Sequence, residues 1–233
     1  MKAFLLAAGH GVRLRPITDT IPKCMVPIQG VPLLSIWLQL CKRIGVEEVL
    51  INLHAHSEAV CEFLERTTND VCVRVVVEPQ LLGSAGTLRA NQDWVRADDF
   101  FWIFYADVLN CVNFSSMMEI HQQRMPAATL GLYEVPDPSR CGIVRMDQGG
   151  VIQEFVEKPS HPTSNLAFSG LMIGSPALLD AIPEDMPADI GFHVLPKLVG
   201  HMLGYRIQEY LIDIGTMENY ERAQVTWPGF QEA

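Results

Sequence analysis

Lys2-Ala3-Phe4-Leu5-Leu6-Ala7-Ala8-Gly9-His10-Gly11-Val12-Arg13-Leu14-Arg15 opens the chain, and Pro22-Lys23-Cys24-Met25-Val26-Pro27-Ile28 follows closely. After Lys2 the run to residue 8 is apolar without alternation, which suits a strand buried on both faces. It stops at a Gly-x-Gly turn, and two arginines and a lysine follow. Glycines let backbone N–H groups approach a polyphosphate, and the cations balance its charge. The carboxyl end of such a strand is where open α/β sheets bind ligands. The stretch is not a P-loop, because no Gly-Lys-Ser/Thr ends it. It also lacks the third glycine of the dinucleotide-binding fingerprint.

Outward from this stretch, short apolar runs alternate with helical patterns. Strands are expected over 2–8, 48–53, 71–78 and 100–106, with helices over 32–44 and 55–66 and Gly45 as a helix stop. Strand–helix alternation with apolar strands argues for a parallel sheet with helices on both faces. From Ala127 the runs come closer together, over 128–135, 143–146, 151–157 and 167–173. These predict antiparallel or mixed strands added to the first sheet. Helices over 176–181, 191–200 and 216–224 and a late strand over 207–214 complete the pattern. No linker, repeat or low-complexity tract interrupts it, so one continuous fold over 1–233 is expected.

Nearly half of the 233 residues are apolar, enough for a substantial core. The formal net charge of -10 disfavours a nucleic-acid or anionic-membrane surface, so a cationic site must be local. Arg13, Arg15, Lys23 and Lys158 would build one. Cysteines at 24, 41, 61, 72, 111 and 141 form no Cys-x-x-Cys and read as small thiols in a reducing cytosol. The first apolar stretch is too short, and too soon followed by glycine and arginine, for a signal peptide. No run is long enough to span a bilayer. His54 and His56 lack a third ligand for a metal site. Met117, Met118 and Ile120 read as the core stripe of a helix.

Two apolar strands end in a carboxylate: Phe101-Trp102-Ile103-Phe104-Tyr105-Ala106-Asp107 and Tyr210-Leu211-Ile212-Asp213, the second followed by Ile214-Gly215-Thr216. With a phosphate loop, two such carboxylates are what a magnesium–nucleotide complex needs, because Mg²⁺ takes a few protein oxygens plus phosphate oxygens and waters. Val77-Glu78-Pro79-Gln80 leads through Gly83-Ser84-Ala85-Gly86 into a helix expected to be capped by Ser84. Phe155-Val156-Glu157-Lys158-Pro159 ends another strand.

Taken together, the opening string resembles the signature of the sugar-1-phosphate nucleotidylyltransferases, and the resemblance runs from Lys2 to about Gln224. It implies a Rossmann-like α/β fold with a mixed, mainly parallel sheet and helices on both faces. A nucleotide-binding half would occupy 1–126 and a sugar-binding half 127–224, leaving a tail at 225–233. It assigns Arg13 and Lys23 to catalysis, Ala8, Gly9, Gly11, Glu78 and Gly83 to the nucleotide, and Gly142, Glu157 and Lys158 to the sugar phosphate. Asp107 and Asp213 match the family's Mg²⁺ ligands, although Ala106 replaces the usual glycine. Leu82-Gly83-Ser84-Ala85-Gly86 is closest to the mannose-1-phosphate guanylyltransferases. Guanine presents two adjacent donors that a carboxylate such as Glu78 accepts, and the amino group of cytosine also suits a carboxylate, whereas uracil and thymine suit an amide better. Val12, Cys24, Leu211 and the Phe168-Ser169-Gly170 triplet depart from the family pattern. The triplet brings relatives acting on heptose or N-acetylmuramic acid phosphates nearer.

The function expected from the resemblance is transfer of a nucleotidyl group from a nucleoside triphosphate, GTP favoured, to a sugar 1-phosphate of mannose or heptose type, with release of pyrophosphate. The alternatives are a uridylyl- or thymidylyltransferase and a catalytically silent nucleotide-sugar sensor. A dinucleotide-dependent oxidoreductase would need a better glycine fingerprint. Neither nucleic acid nor membrane is expected as a partner, homo-oligomerisation is left open, and the expected location is cytoplasmic.

Overall fold

The computed structural model describes residues 1–67 and 70–230; residues 231–233 of the expected tail lie outside that range. In chain order the strands and helices begin with β1 (Lys2–Leu6), a small hairpin of β2 (Pro27–Ile28) and β3 (Val31–Pro32), α1 (Leu33–Arg43), β4 (Glu48–Leu53) and α2 (Ser57–Arg66). Then follow β5 (Cys72–Val77), α3 (Ser84–Ala90), β6 (Phe101–Tyr105), β7 (Val108–Asn110), α4 (Phe114–Arg124), β8 (Ala128–Glu134), β9 (Gly142–Met146) and β10 (Ile152–Glu157). The last are β11 (Leu166–Gly174), α5 (Pro176–Asp180), β12 (Met202–Arg206), β13 (Leu211–Asp213) and α6 (Met217–Thr226). This is the mixed α/β, Rossmann-like fold that the alternating runs predict.

The chain forms two compact units and passes from one to the other and back twice. The first takes residues up to Gln80, then Phe104–Val112, then those from Glu209 on. Its β1, β4 and β5 are parallel, with Phe4 opposite Leu50 and Leu50 opposite Arg74. Ala3, Phe4 and Leu5 of β1 are fully buried, as an unbroken apolar run requires. Helix α1 turns Leu33, Leu34, Trp37, Leu38 and Cys41 inward at helical spacing. The Trp37 indole donates to the Ala106 carbonyl at 3.1 Å and stacks on Phe104, centroids 5.0 Å apart. The helix ends where expected: Gly45 takes φ +75°, and the Val46 N–H reaches back to the Cys41 carbonyl at 2.9 Å. A second ribbon pairs β7 with β13 antiparallel, setting Asp213 opposite Val108.

The second unit holds residues Leu81–Ile103 and Asn113–Gln208. Here β8 pairs antiparallel with β11 and parallel with β12, and β9 pairs antiparallel with β10 and β11. The β8–β11 register shifts between Phe168 and Met172, where the unusual Ser169-Gly170 pair sits.

Three expectations are corrected. The late strand over 207–214 shrinks to β13, Leu211–Asp213; β12, Met202–Arg206, ends before that span begins and lies in a different sheet. The Ile207 N–H still bonds the Leu132 carbonyl, and the polar residues Gln208 and Glu209 carry the chain to a new partner. The helix over 191–200 is a π turn, Ile190–Val194, running into a 3₁₀ turn, Leu195–Leu198. Pro196 has no N–H to continue an α-helical ladder. The core stripe of α4 is Phe114, Met117 and His121, while Ile120 is exposed.

Candidate active site

In the first unit, β1 hands the chain to the Ala7–Gly11 loop. Gly11 is left-handed, and its carbonyl accepts from the Leu14 N–H and the Thr18 hydroxyl, each at 2.8 Å. A 3₁₀ turn over Val12–Leu14 carries Arg13, and another over Lys23–Met25 carries Lys23. Asp107 follows β6, and Asp213 closes β13. The backbone joins these ends, the Ile214 N–H donating to the Asp107 carbonyl at 2.9 Å. The side chains meet at Gly215. A Cβ built there would lie 2.7 Å from Asp213 Oδ1, 2.9 Å from Arg13 Nη2 and 3.2 Å from Lys23 Nζ. Lys23, only 12% exposed, pairs with Asp107 Oδ2, and the Gly215 N–H donates to Asp213 Oδ1 at 2.6 Å. Burial, and next the Asp107 charge, push the Asp213 carboxyl above the usual carboxylate range, while Lys23, the Gly215 N–H and Arg13 pull it down. The structure thus brings together Arg13, Lys23, Asp107 and Asp213. Arg15 instead pairs with Asp19 on the surface at 3.1 Å.

Glu78 lies in the same unit just beyond β5 and is 3% exposed. Its Oε1 accepts from Asn52 Nδ2 at 2.9 Å, and Asn52 Oδ1 accepts from the Ala7 N–H at 2.8 Å. One buried amide therefore ties the start of the glycine loop to the carboxylate. His54 Nδ1 meets the Glu78 carbonyl at 2.7 Å, and the His10 and His54 rings stand edge to face, 5.2 Å apart.

In the second unit, Glu157 ends β10 and Gly142 starts β9, directly opposite each other. A Cβ on Gly142 would come within 2.6 Å of Glu157 Oε2, and one on Gly191 within 2.3 Å. The carboxylate is seated between two glycines. Burial raises its pKa; Lys158 lowers it, and Asp189 raises it further. Lys158 Nζ lies 3.5 Å from Glu157 Oε1. Lys158 takes φ +49°, a conformation that L residues seldom adopt, and its N–H bonds the Cys141 carbonyl at 3.0 Å.

Gly83 takes φ +78°, and a Cβ there would lie 2.3 Å from the Ala188 carbonyl oxygen. That carbonyl also accepts from the Ala85 and Gly86 N–H groups, at 3.0 and 3.1 Å. Ser84 therefore does not cap α3. Gly83 occupies the cap position, and a backbone carbonyl takes the first N–H groups of the helix. The Ser84 hydroxyl donates to Asp189 Oδ2 at 2.9 Å and accepts from the Ile190 N–H at 2.8 Å.

The family model for nucleotidyl transferases matches residues 2–227. The chain belongs to that family. It is 30% identical to the mannose-1-phosphate guanylyltransferase catalytic subunit beta of Xenopus tropicalis over 226 residues, 94% of this chain and 62% of the relative. To the UTP–glucose-1-phosphate uridylyltransferase of Synechocystis it is 32% identical over 241 residues, 96% of this chain and 62% of the relative. The chain thus spans a little under two thirds of these nucleotidyl transferases. A UDP-glucose pyrophosphorylase solved with UDP-glucose shares the fold, with a TM-score of 0.85 at 24% identity and 97% of each chain covered.

Sequence reasoning missed Asn52, Asp189 and Gly191. Asn52 was detectable as the one uncharged polar residue inside the apolar run of β4. Nothing in the order of residues links 189–192 to Glu157, because only tertiary packing does so. Among the described residues no three His, Cys, Asp or Glu side chains gather as a metal site, and no helix is long and apolar enough to cross a membrane. Two partly buried carboxylates fit a divalent cation whose remaining ligands are phosphate oxygens and water.

Proposed function

We propose that the chain catalyses NTP + sugar 1-phosphate ⇌ NDP-sugar + pyrophosphate. The observation that carries this reading is the convergence of Arg13, Lys23 and Asp213 on Gly215, with Asp107 paired to Lys23, in the unit whose first strand ends in the glycine loop. A phosphate oxygen of the sugar 1-phosphate attacks the α-phosphorus in line. A new P–O bond forms there, and the bond to the β-phosphate bridging oxygen breaks. The attacking oxygen is already anionic, so no general base is needed. Arg13 and Lys23 supply fixed positive charge where negative charge grows on the α-phosphate. Asp107 and Asp213 would hold Mg²⁺, which when bound offsets the repulsion between phosphates. Gly142 and Glu157 are assigned to the sugar and Lys158 to its phosphate. Ala8, Gly9, Gly11 and Gly83 are assigned to the nucleotide.

The base assigned is guanine, with Glu78 accepting from N1–H and the N2 amino group. The support is a buried carboxylate held in place by Asn52. The sugar assigned is of mannose or heptose type. Six free thiols, with burial pushing Cys24 and Cys41 up to about 12, favour a reducing, cytoplasmic setting.

The test is a matrix of GTP, UTP, dTTP, CTP and ATP against sugar 1-phosphates, read by pyrophosphate release. GTP with a manno-configured hexose or heptose 1-phosphate is expected to lead. Each lost buried hydrogen bond costs roughly 1–3 kcal/mol, so GTP should exceed UTP and dTTP by at least about tenfold in kcat/KM. A preference for UTP or dTTP would overturn the guanine assignment. No release from any pair would overturn the reaction.

A further inference from the structure

The Glu157–Lys158 corner carries an aromatic side chain that the reading above does not use. Phe192 is 51% exposed, yet its backbone is fixed. Its N–H donates to Asp189 Oδ1 at 3.1 Å, and the Gly191 N–H donates to the same oxygen at 2.8 Å. Asp189 is itself held by the Ser84 hydroxyl. A lone exposed phenylalanine needs no explanation; the neighbours of this one do. The Lys158 ammonium lies 5.3 Å from the centre of its ring, and Gly191 brings the backbone just before it against the Glu157 carboxylate. The segment is a π turn, a form that recurs at functional sites.

An acceptor carboxylate, an ammonium and an anchored aromatic face thus stand together in one unit. A sugar phosphate offers the complementary set: hydroxyl donors, an anion, and a ring face of C–H groups that packs on the negative face of an aromatic ring. We infer that Phe192 is a sugar-contacting residue whose ring packs against the C–H face of a pyranose 1-phosphate, with Lys158 on the phosphate and Glu157 on the hydroxyls. The inference rests on the sugar 1-phosphate reading, and it adds a contact between the ring and axial C–H groups of the sugar.

The test uses Phe192→Ala, Phe192→Leu, Phe192→Tyr and Phe192→Trp, with mannose 1-phosphate and glucose 1-phosphate as probes. Loss of one ring contact should raise KM for the preferred sugar 1-phosphate about tenfold in Phe192→Ala. KM for the triphosphate should stay near the wild-type value. Phe192→Tyr should resemble wild type, and Phe192→Leu should resemble Phe192→Ala. In Phe192→Trp the added indole emission should respond to the sugar 1-phosphate and not to inorganic phosphate. An unchanged sugar KM in Phe192→Ala, or equal rises for both substrates, overturns the inference. Lys158→Ala separates it from the reading beneath it. If that variant loses sugar affinity while Phe192→Ala does not, Phe192 alone is misassigned. If wild-type protein neither turns over nor binds, by calorimetry, any sugar 1-phosphate, both fall.

Discussion

Asn52 uses both ends of its amide, one on the Ala7 N–H and one on Glu78. Asn52→Leu removes both of these buried bonds, so it should cost on the order of 1–3 kcal/mol in urea unfolding. It should also flatten the preference for GTP over UTP, which a purely structural role would leave alone. Asp107→Asn and Asp213→Asn should each abolish turnover while the fold persists, because an amide is a poorer ligand for a hard dication. Near-normal rates across a magnesium titration would remove that role. Arg13→Leu and Lys23→Met should lower kcat by about a hundredfold or more with smaller changes in KM, as for charge that grows in the transition state. A change in KM alone would reassign them to ground-state binding. Burial raises the Glu157 pKa. The carboxylate therefore takes up its proton above the pH where an ordinary one does, and KM for the sugar should rise on acidification from neutral. Glu157→Gln should remove that dependence. Arg13, Lys23, Asp107 and Asp213 were legible in the sequence because each sits in a local motif. Asn52 and Phe192 make their contacts with neighbours far away in the chain, which linear spacing does not encode.

Strands buried on both faces announce themselves as unbroken apolar runs, and β1, β4 and β6 fall within two residues of their expected limits; β5 does so too, although as an edge strand its residues are exposed or half-buried. The short strands β7 and β13 carry too few residues to show any period, although they hold the two aspartates in place. The entry to α3 was misread for a different reason. Ser84 has the chemistry of a cap, but the Ala188 carbonyl competes for the same N–H groups and wins. Gly83→Ala tests this clasp. An alanine at φ +78° is strained, and its Cβ would collide with backbone rather than with a flexible side chain. The variant should lose more than about 2 kcal/mol of stability. Ser84→Ala, which loses two hydrogen bonds, should lose about 1–2 kcal/mol. Equal and small losses would show that the clasp is slack.

Across the whole molecule, acid should weaken the fold partly through His121. This ring is 2% exposed on α4, with Nδ1 2.9 Å from the Thr129 hydroxyl on β8. Burial lowers its pKa from 6.5 to about 4. The folded state keeps it neutral, so its contribution is complete above the unfolded pKa and is lost as pH falls toward 4. Over that window the loss is roughly 3 kcal/mol. Urea midpoints should fall across it, and less steeply in His121→Gln; parallel curves would place the dependence elsewhere. The two-unit division was not legible in composition, because the chain returns to the first unit after about a hundred residues without any linker-like stretch. That return has a consequence for biosynthesis. β7 waits for β13, so Asp107 meets Asp213 only after residue 213 has left the ribosome. A nascent chain halted earlier would carry the glycine loop and both of its cations without the second carboxylate. Neither unit is one contiguous stretch of chain, so neither can be exchanged between relatives as a single cassette.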